Sequence, residues 1–380
     1  MNLELTEEQH MLQKSVREFA ESEVWPRAKE NDEKGHFPHE LFRKAAELGL
    51  TGVAFPEAEG GAGFDHVAYS IVIEEISRCC ASTGVILSVQ NSLFCDPIHR
   101  YGTEEQKKKF LLPFTRGEKI GCYALTEPQA GSNAAALQTK ALKKGDSYVI
   151  NGTKAWITNG GVADAAIVYV NTDPAKGEKG ITALVVEKGT PGFRVGKEEK
   201  KLGISATACS ELIFSECEVP TANRIGNEGE GYRVALSTLD GGRIGIAAQA
   251  TGIAQGAFEA ALKYAQERMA FGHPIAQFQA IQFMLADMAT EIDAARLLVR
   301  KAAWKQDTGS RFSLEASTAK LFASEMATRV AHKAIQIHGG YGYSREYPVE
   351  RAYRDARITE IYEGTSEIQR LVIAAWVLKG

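Results

Sequence analysis

The run from Ile358 to Arg370 holds the residue whose type and position best suit acid–base chemistry. It reads ITEIYEGTSEIQR and places the carboxylate of Glu363 directly before Gly364. A glycine after a helical pattern usually marks the helix end, so the carboxylate is expected at a corner of the chain, pointing into a cleft. Thr365 or Ser366 can cap the helix that follows. Such a glutamate is either a solvated residue or a general base, and the residues around it favour the base.

This run resembles the catalytic-base loop of the acyl-CoA dehydrogenases, especially the short-chain (butyryl-CoA) enzymes. The resemblance extends over essentially all 380 residues and follows the order of the family's motifs. One motif alone would be weak, but six in order are specific. The other five are TEPQAGS at 126–132, KAWITN at 154–159, LDGGRIG at 239–245, ERMAFG at 267–272 and QIHGG at 336–340.

The resemblance implies an oxidoreductase of fatty acid β-oxidation that acts on CH–CH groups. It implies that Glu363 removes the α proton of a short-chain acyl-CoA, here read as about four carbons, while a hydride passes to flavin N5. The product is the trans-2-enoyl-CoA, and the electrons go to electron-transferring flavoprotein. Burial is expected to raise the pKa of the base. The thioester oxygen is expected to be polarised by the backbone N–H of Glu363 and a flavin ribityl hydroxyl.

The same resemblance assigns residues to an FAD cofactor. Trp156 is expected to pack against the isoalloxazine, Thr158 to bond near N5, and Thr126 to reach the ring. Arg268 and Gln279 are expected to hold the diphosphate and adenosine of a neighbouring subunit's FAD, within a homotetramer built as a dimer of dimers. The other cofactor-binding residues implied are Tyr123, Leu125, Gly131, Ser132, Ile157, Phe271, Gln336, Gly339, Gly340, Thr365 and Glu367.

Substrate contacts are likewise implied by the resemblance. Gln249 and Thr359 match positions that close the pocket floor in short-chain enzymes, and the remaining contacts implied are Ser132, Asp240, Arg243, Tyr362 and Gly364. Some members of the superfamily carry the base immediately before that arginine, but here the position is Gly242, which leaves Glu363 as the only candidate.

Several alternatives stay open. The polar run 90–92 near the acyl end lacks the arginine expected for a glutaryl-CoA enzyme, yet a cyclic or dicarboxylic acyl-CoA remains a candidate substrate. An acyl-CoA oxidase would share the fold. A non-catalytic flavin-binding scaffold is favoured only if the base is lost, and Glu363 is present.

Composition excludes other classes. The net charge of −4, without a basic cluster interleaved with aromatic residues, argues against a nucleic-acid partner. No apolar run approaches the roughly 18 residues of a membrane span. The N-terminus lacks the features of a signal peptide, so a bacterial cytoplasm is expected, or a mitochondrial matrix for a processed eukaryotic chain. The sequence lacks a Rossmann fingerprint and metal-ligand spacing, and its six cysteines are expected to be buried thiols.

The pattern of elements predicts an α+β multidomain fold. Residues 1–120 are expected to form a helical domain, 121–228 an antiparallel β-barrel or sandwich, and 229–380 a helical bundle that carries the base. The family resemblance implies that this is a four-helix bundle. Thr6 and Gln9 have the form of a capping box, and Pro26 is expected to interrupt the first helix or lie just beyond it. Asn151-Gly152 is read as a turn.

Overall fold

The computed structural model describes residues 4–379, in which a set of helices is followed by a β-sheet and then by more helices. The predicted α–β–α order is therefore confirmed. Residues 1–3, which begin the predicted N-terminal domain and the predicted leaderless N-terminus, lie outside the described residues, as does residue 380.

The N-terminal part consists of eight α-helices linked by loops and three π-helical turns. The capping box is confirmed, because Thr6 Oγ1 accepts from the Gln9 backbone N–H and the Gln9 side chain accepts from the Thr6 N–H. The α-helices are α1 Glu7–Phe19, α2 Trp25–Lys34, α3 His39–Glu47, α4 His66–Cys79, α5 Ala81–Ser88, α6 Asp96–Tyr101, α7 Glu104–Gln106 and α8 Leu112–Thr115; the π-helical turns are Ala20–Val24, Val89–Cys95 and Lys107–Leu111.

The expectation for Pro26 is wrong. The chain stays helical from α1 through the π-helical turn Ala20–Val24 into α2, and Pro26 lies in the first turn of α2. The proline nitrogen cannot donate a hydrogen bond, and the wider π-helical turn just before it, in which the Trp25 N–H bonds to the Ala20 carbonyl, is where the continuous helix departs from the regular pattern.

The middle part is an eight-stranded sheet with the order β6-β7-β3-β2-β4-β5-β8, and β1 pairs with β4 outside this path. Most pairs are antiparallel as predicted, and β1–β4 and β2–β4 are parallel additions that the sequence did not predict. The strands are β1 Gly121–Ala124, β2 Lys140–Lys144, β3 Ser147–Ile157, β4 Ala165–Asn171, β5 Ile181–Glu187, β6 Phe193–Glu198, β7 Ser210–Pro220 and β8 Arg224–Ile225.

Asn151-Gly152 is not a turn, because β3 runs straight through it. The pairing of β3 with β7 shifts register between Ile150 and Gly152, which is the signature of a β-bulge. A Cβ at Gly152 would lie 2.7 Å from the Cα of Thr139. Glycine is therefore needed for the close approach of two strands rather than for a reversal.

The C-terminal part contains the long helices α9 Gly231–Glu267, α10 Gln279–Asp307 and α11 Ser313–His338, followed by α12 Pro348–Ile358 and α13 Ser366–Val377. A two-stranded hairpin, β9 Met269–Ala270 and β10 His273–Pro274, joins α9 to α10. Helix α9 packs on α4 and α5 of the N-terminal part, on β5, and on α10, α11 and α12. One helix thus links all three parts of the chain.

Buried side chains explain this arrangement. The largest core cluster joins α1, α3, α4 and α5 to the alanine-rich faces of α9, α10 and α11, where small side chains let helices approach closely. All six cysteines are buried and free, as predicted. No helix within residues 4–379 is long and apolar enough to cross a membrane.

Candidate active site

The corner predicted around Glu363 is present between α12 and α13. Glu363 and Gly364 have φ angles of 54° and 94°, both in the left-handed region. Thr365 is the N-cap of α13, and its Oγ1 accepts from the Ile368 N–H at 3.3 Å, which settles the choice between Thr365 and Ser366. A glutamate in this conformation is strained by about 1 kcal/mol or more, so other contacts must hold it.

The Glu363 carboxylate is placed to act as a base near neutral pH. Its Oε2 is buried and has no hydrogen-bond partner within the described chain. Burial raises the pKa of Glu363 to about 7 from an ordinary 4.5, while the positive charges of Lys320 and Arg243 act in the opposite direction. An unpaired acceptor aimed into a cleft can take a proton from a molecule bound there.

Two side chains hold the backbone of this corner. Lys320, on α11, donates from Nζ to the Gly364 carbonyl oxygen at 2.7 Å. Gln369, on α13, donates from Nε2 to the same oxygen at 2.9 Å and to the Glu363 carbonyl at 3.3 Å. Lys320 and Gln369 are both fully buried.

Gly242, inside α9, faces the carboxylate of Glu363. A Cβ at this position would lie less than 3.0 Å from Glu363 Oε2 and 2.8 Å from Leu93 Cδ2. Glycine destabilises a helix interior by roughly 1 kcal/mol relative to alanine. The space taken by the carboxylate accounts for a glycine here, since a side chain at 242 and Glu363 cannot both occupy it.

Three of the predicted substrate residues, Gln249, Thr359 and Tyr362, are hydrogen-bonded within the protein. The Tyr362 hydroxyl donates to Gln249 Oε1, and Gln249 Nε2 donates to the Ala81 carbonyl at 2.9 Å. Thr359 is fully buried and donates to the Ala356 carbonyl at 2.7 Å. Their polar atoms are satisfied within the protein, so none of the three is free to bind a polar group of a substrate.

Asp240 and Arg243 form a second polar group on α9. Arg243 Nη1 donates to Asp240 Oδ1 at 2.6 Å, and Ser313 donates to Asp240 Oδ2 at 2.5 Å. Arg243 Nε is buried without a partner among the described atoms. Ser132, also predicted to contact substrate, is exposed on the loop after β1.

At the end of β3, Trp156 has a φ of 60° and is 59% exposed. The neighbouring Ile157 is buried in the core of the sheet, and Thr158 is partly exposed. The remaining residues predicted on this side are Tyr123, within β1, and Leu125, Thr126 and Gly131, which follow it; Gly131 faces open space.

A buried ion pair ties these two stretches together. Lys154 Nζ lies 2.7 Å from Glu127 Oε1, and both side chains are almost completely buried. Lys154 also donates to the Leu125 carbonyl at 3.0 Å, and the Ala155 N–H donates to the Thr126 carbonyl at 2.9 Å. The backbone around Thr126 and Trp156 is therefore fixed as one unit.

The other predicted cofactor residues form a separate exposed group. Phe271 is 92% exposed at the tip of the β9–β10 hairpin, and the Arg268 guanidinium lies over the Tyr341 ring at 5.6 Å. In the described chain, no hydrogen bond or ring contact joins this group to Glu363 or Trp156. Its remaining members, also exposed, are Gln279, Gln336, Gly339 and Gly340; Glu367 is exposed in the first turn of α13.

Family models cover nearly the whole chain. Those of the N-terminal, middle and C-terminal domains of acyl-CoA dehydrogenase match residues 6–118, 122–217 and 229–378. The chain belongs to the acyl-CoA dehydrogenase family. It is accordingly an oxidoreductase, as the resemblance predicted.

Individual relatives agree with this assignment. The short-chain-specific acyl-CoA dehydrogenase of Clostridium acetobutylicum is 52% identical over 379 residues, with both chains covered completely. The structure of butyryl-CoA dehydrogenase from Megasphaera elsdenii has a TM-score of 0.98 at 47% identity and full coverage of both chains. A chain from work on the electron-transferring flavoprotein of Acidaminococcus fermentans has a TM-score of 0.99 at 49% identity, again with full coverage of both.

In this acyl-CoA dehydrogenase the polar run 90–92 serves the protein's own backbone. Asn91 donates to the Leu50 and Leu87 carbonyls at 3.0 and 2.9 Å and accepts from the Val53 N–H at 2.9 Å. Gln90 is satisfied by main-chain groups in the same way. Neither amide is free to bind a substrate group.

Lys320 and the Lys154–Glu127 pair were missed by sequence reasoning. A signal for Lys320 did exist, because it falls on the same helical face as Ala316, Ala323 and Ala327, all buried. A charged residue on an apolar stripe indicates a buried partner. No group of His, Cys, Asp and Glu within residues 4–379 is arranged to hold a metal ion.

Proposed function

We propose that this protein is a short-chain acyl-CoA dehydrogenase that uses FAD and converts an acyl-CoA of about four carbons to the trans-2-enoyl-CoA. The observation that carries the proposal is the Glu363 carboxylate. It is held on a left-handed corner opposite Gly242, with a buried and unpartnered Oε2. The alternative base position is a glycine, so the proton acceptor is Glu363.

The chemistry of the base follows from its surroundings. The carbon α to a thioester is a weak acid, and an ordinary glutamate is a poor base toward it. Burial raises the pKa of Glu363 to about 7, which strengthens the base while leaving much of it ionised at neutral pH. By the family resemblance, the backbone N–H of Glu363 faces the thioester oxygen, so the same corner both accepts the proton and stabilises the developing charge.

Chain length is supported by the bonding of Gln249 and Tyr362, which by the family resemblance contribute to the wall of the acyl pocket. Gln249 and Tyr362 bond to each other, and Gln249 also bonds to the Ala81 carbonyl. Opening this wall for a longer acyl chain would leave buried polar groups unpaired, at a cost of about 1–3 kcal/mol each. The satisfied side chains of Gln90 and Asn91 argue against a carboxylate at the far end of the substrate.

The residues present fit a flavin. A flat cofactor needs an aromatic surface and backbone that it can approach closely. Trp156 supplies an exposed indole, and a Cβ at Gly131, Gly339 or Gly340 would meet no atom within 4 Å. The flavin, when bound, supplies the acceptor for the hydride; the chain's own residues position the substrate and remove the proton.

Partners are proposed from the resemblance. The separate group around Arg268 and Phe271 suits a cofactor that spans two subunits, which supports a homotetramer arranged as a dimer of dimers. We propose electron-transferring flavoprotein as the electron acceptor, supported by the similarity to a chain from work on such a protein in Acidaminococcus fermentans.

The test is an anaerobic absorbance titration of the purified protein. Butyryl-CoA should bleach the oxidised flavin band more strongly than hexanoyl-, isovaleryl- or glutaryl-CoA. Stronger bleaching by another thioester would overturn the short-chain assignment. A colourless protein that FAD cannot reconstitute would overturn the cofactor. Peroxide formation that outpaces electron transfer to the flavoprotein partner would favour an oxidase.

A further inference from the structure

Lys320 is a buried cation without the partner that a buried cation usually has. Its side chain is fully buried on α11, and its Nζ bonds at 2.7 Å to a carbonyl oxygen, that of Gly364, rather than to a carboxylate. Taking an ammonium group out of water costs several kcal/mol unless it is compensated. A carbonyl alone compensates little, so packing does not explain a lysine here.

The atom that Lys320 binds belongs to the residue after the base. Glu363 and Gly364 are both left-handed, and the Gly364 carbonyl receives a second bond from Gln369 Nε2 at 2.9 Å. Two buried donors thus converge on one oxygen. Gln369 also bonds to the Glu363 carbonyl at 3.3 Å, so both carbonyl groups of the corner are held and the backbone that directs the Glu363 side chain is restrained.

We propose that Lys320 is a positioning residue for the dehydrogenation, which holds the strained corner of Glu363 through the Gly364 carbonyl. This inference rests on the proposed function, because it assumes that Glu363 is the base. It assigns a role to a residue 43 positions earlier in the chain.

The charges around the corner come from several elements. Arg243 on α9 and Lys320 on α11 both act to lower the pKa of Glu363, against burial, which raises it. The other titratable groups near the carboxylate are the hydroxyls of Tyr69 on α4, Tyr123 on β1 and Tyr362. Burial and the negative charge of Glu363 both raise their pKa values, so these hydroxyls stay neutral.

Lys320 carries its positive charge in the pH range in which Glu363 titrates. Burial lowers its pKa to about 8, with the repulsion of Arg243 adding to that effect, while Glu363, Glu360 and Glu367 raise it. Below pH 8 the ammonium is therefore present. In that range it opposes protonation of Glu363, whose pKa would lie higher without it.

The decisive experiment compares Lys320→Met with Lys320→Arg in the FAD-loaded enzyme, by the pH dependence of flavin reduction at saturating butyryl-CoA. In Lys320→Met the acidic limb of the profile should move to higher pH, and the limiting rate at alkaline pH should fall by about tenfold or more, because the base is less well aligned. Lys320→Arg keeps the charge and should leave the acidic limb in place. KM should change less than kcat in both.

Lys333→Met is the matched control. Lys333 lies on the same helix but pairs with Asp287 and Glu291 on the surface, so its loss should leave the profile unchanged. A Lys320→Met enzyme with the wild-type acidic limb and limiting rate would overturn the inference. If that variant loads no FAD, Lys320→Gln decides in the same assay, since it also lacks the charge.

Failure of the inference can be told from failure of the proposed function. If Glu363→Gln is inactive while Lys320→Met has an unshifted profile, only the role of Lys320 is wrong. If Glu363→Gln keeps full activity, the base itself is wrong, and the inference falls with it.

Discussion

Glu363 must be ionised before it can accept a proton, and its surroundings set the pH at which this happens. Because burial raises its pKa to about 7, the rate of flavin reduction should increase with pH through that value and level off above it. Glu363→Gln should reduce this rate by about 10³-fold or more, within the range expected for loss of a general base, and should retain FAD. Stopped-flow reduction by butyryl-CoA between pH 5.5 and 9 measures both effects. A rate that does not vary with pH would contradict the assignment.

Gly242 offers a sharper test of the same geometry. Gly242→Ala places a methyl group within 3.0 Å of Glu363 Oε2, so the carboxylate must move. A displacement of about 1 Å can lower a rate by about 10²-fold, although alanine by itself favours the helix. We therefore expect a lower kcat with unchanged or improved thermal stability, measured by turnover and thermal unfolding.

The neighbouring glycine is the control for that change. A Cβ at Gly241 would have Gln306 Nε2 as its nearest neighbour, at an ordinary 3.7 Å. Gly241→Ala alters the same helix by the same group, so it should leave kcat within about twofold of wild type, as expected of an unstrained substitution. Equal losses in the two variants would mean that the helix, rather than the contact with Glu363, is responsible.

At the scale of elements, Lys154 and Glu127 hold the end of β3 to the loop after β1. Lys154→Met would leave the Glu127 carboxylate buried and unpaired, with only the N–H groups of Gln138 and Thr139 and the Gln129 amide bonded to it. We expect the free energy of unfolding to fall by about 3–5 kcal/mol and FAD to be retained less well. Chemical denaturation and FAD content are the measurements.

Two further variants test whether the loss of stability in Lys154→Met comes from the ion pair. In Lys154→Met/Glu127→Gln both charges are removed, so the loss should be smaller than the sum of the two single losses. Lys144→Met, on the exposed end of β2, should change stability by less than about 0.5 kcal/mol. A Lys154→Met loss no larger than that of Lys144→Met would show that the pair does not fix these elements.

The elements also show where sequence reasoning succeeds and where it fails. The Thr6 capping box and the Thr365 cap were predictable because both depend on residues within three positions of each other. Asn151-Gly152 has the composition of a turn, yet the glycine is required by Thr139, which directly precedes the adjacent strand β2. The parallel pairing of β1 with β4 likewise joins strands that are far apart in the sequence, and no local pattern of residues predicts it.

The candidate site also has some features that follow from neighbouring residues and others that depend on distant ones. Glu363 and Gly364 could be identified from one short run of sequence, because a helix end and a helix start bracket them. Lys320, Gln369 and Gly242 reach the same place from three different helices, and only their packing brings them together. The corner at Glu363 was therefore predictable, while the contacts that hold it required the fold.

For the whole molecule, the described chain leaves apolar side chains uncovered on its C-terminal helices. Phe283 on α10 is 64% exposed, and Leu371 on α13 is 65% exposed. Helices α10 and α13 both pack on α11, and uncovered apolar side chains on these two helices are consistent with the proposed contact between subunits. The exposed group around Arg268 and Phe271 lies just before the first residue of α10. Association of subunits through this surface would therefore also bring that group to the proposed cofactor site of a neighbouring subunit.

These features predict that assembly and FAD binding are lost together. Light scattering should give about four times the chain mass of 41.3 kDa for the wild type, as the homotetramer requires. Phe283→Glu buries a charge in the proposed interface, which is costly without a partner, and should give smaller species that lose FAD on dilution. Leu142→Glu, at a residue 63% exposed on the β-sheet, should remain tetrameric and yellow. A monomeric Phe283→Glu protein with full FAD content would show that each subunit binds the cofactor alone, and would remove the reason for assigning Arg268 and Gln279 to a neighbour's flavin.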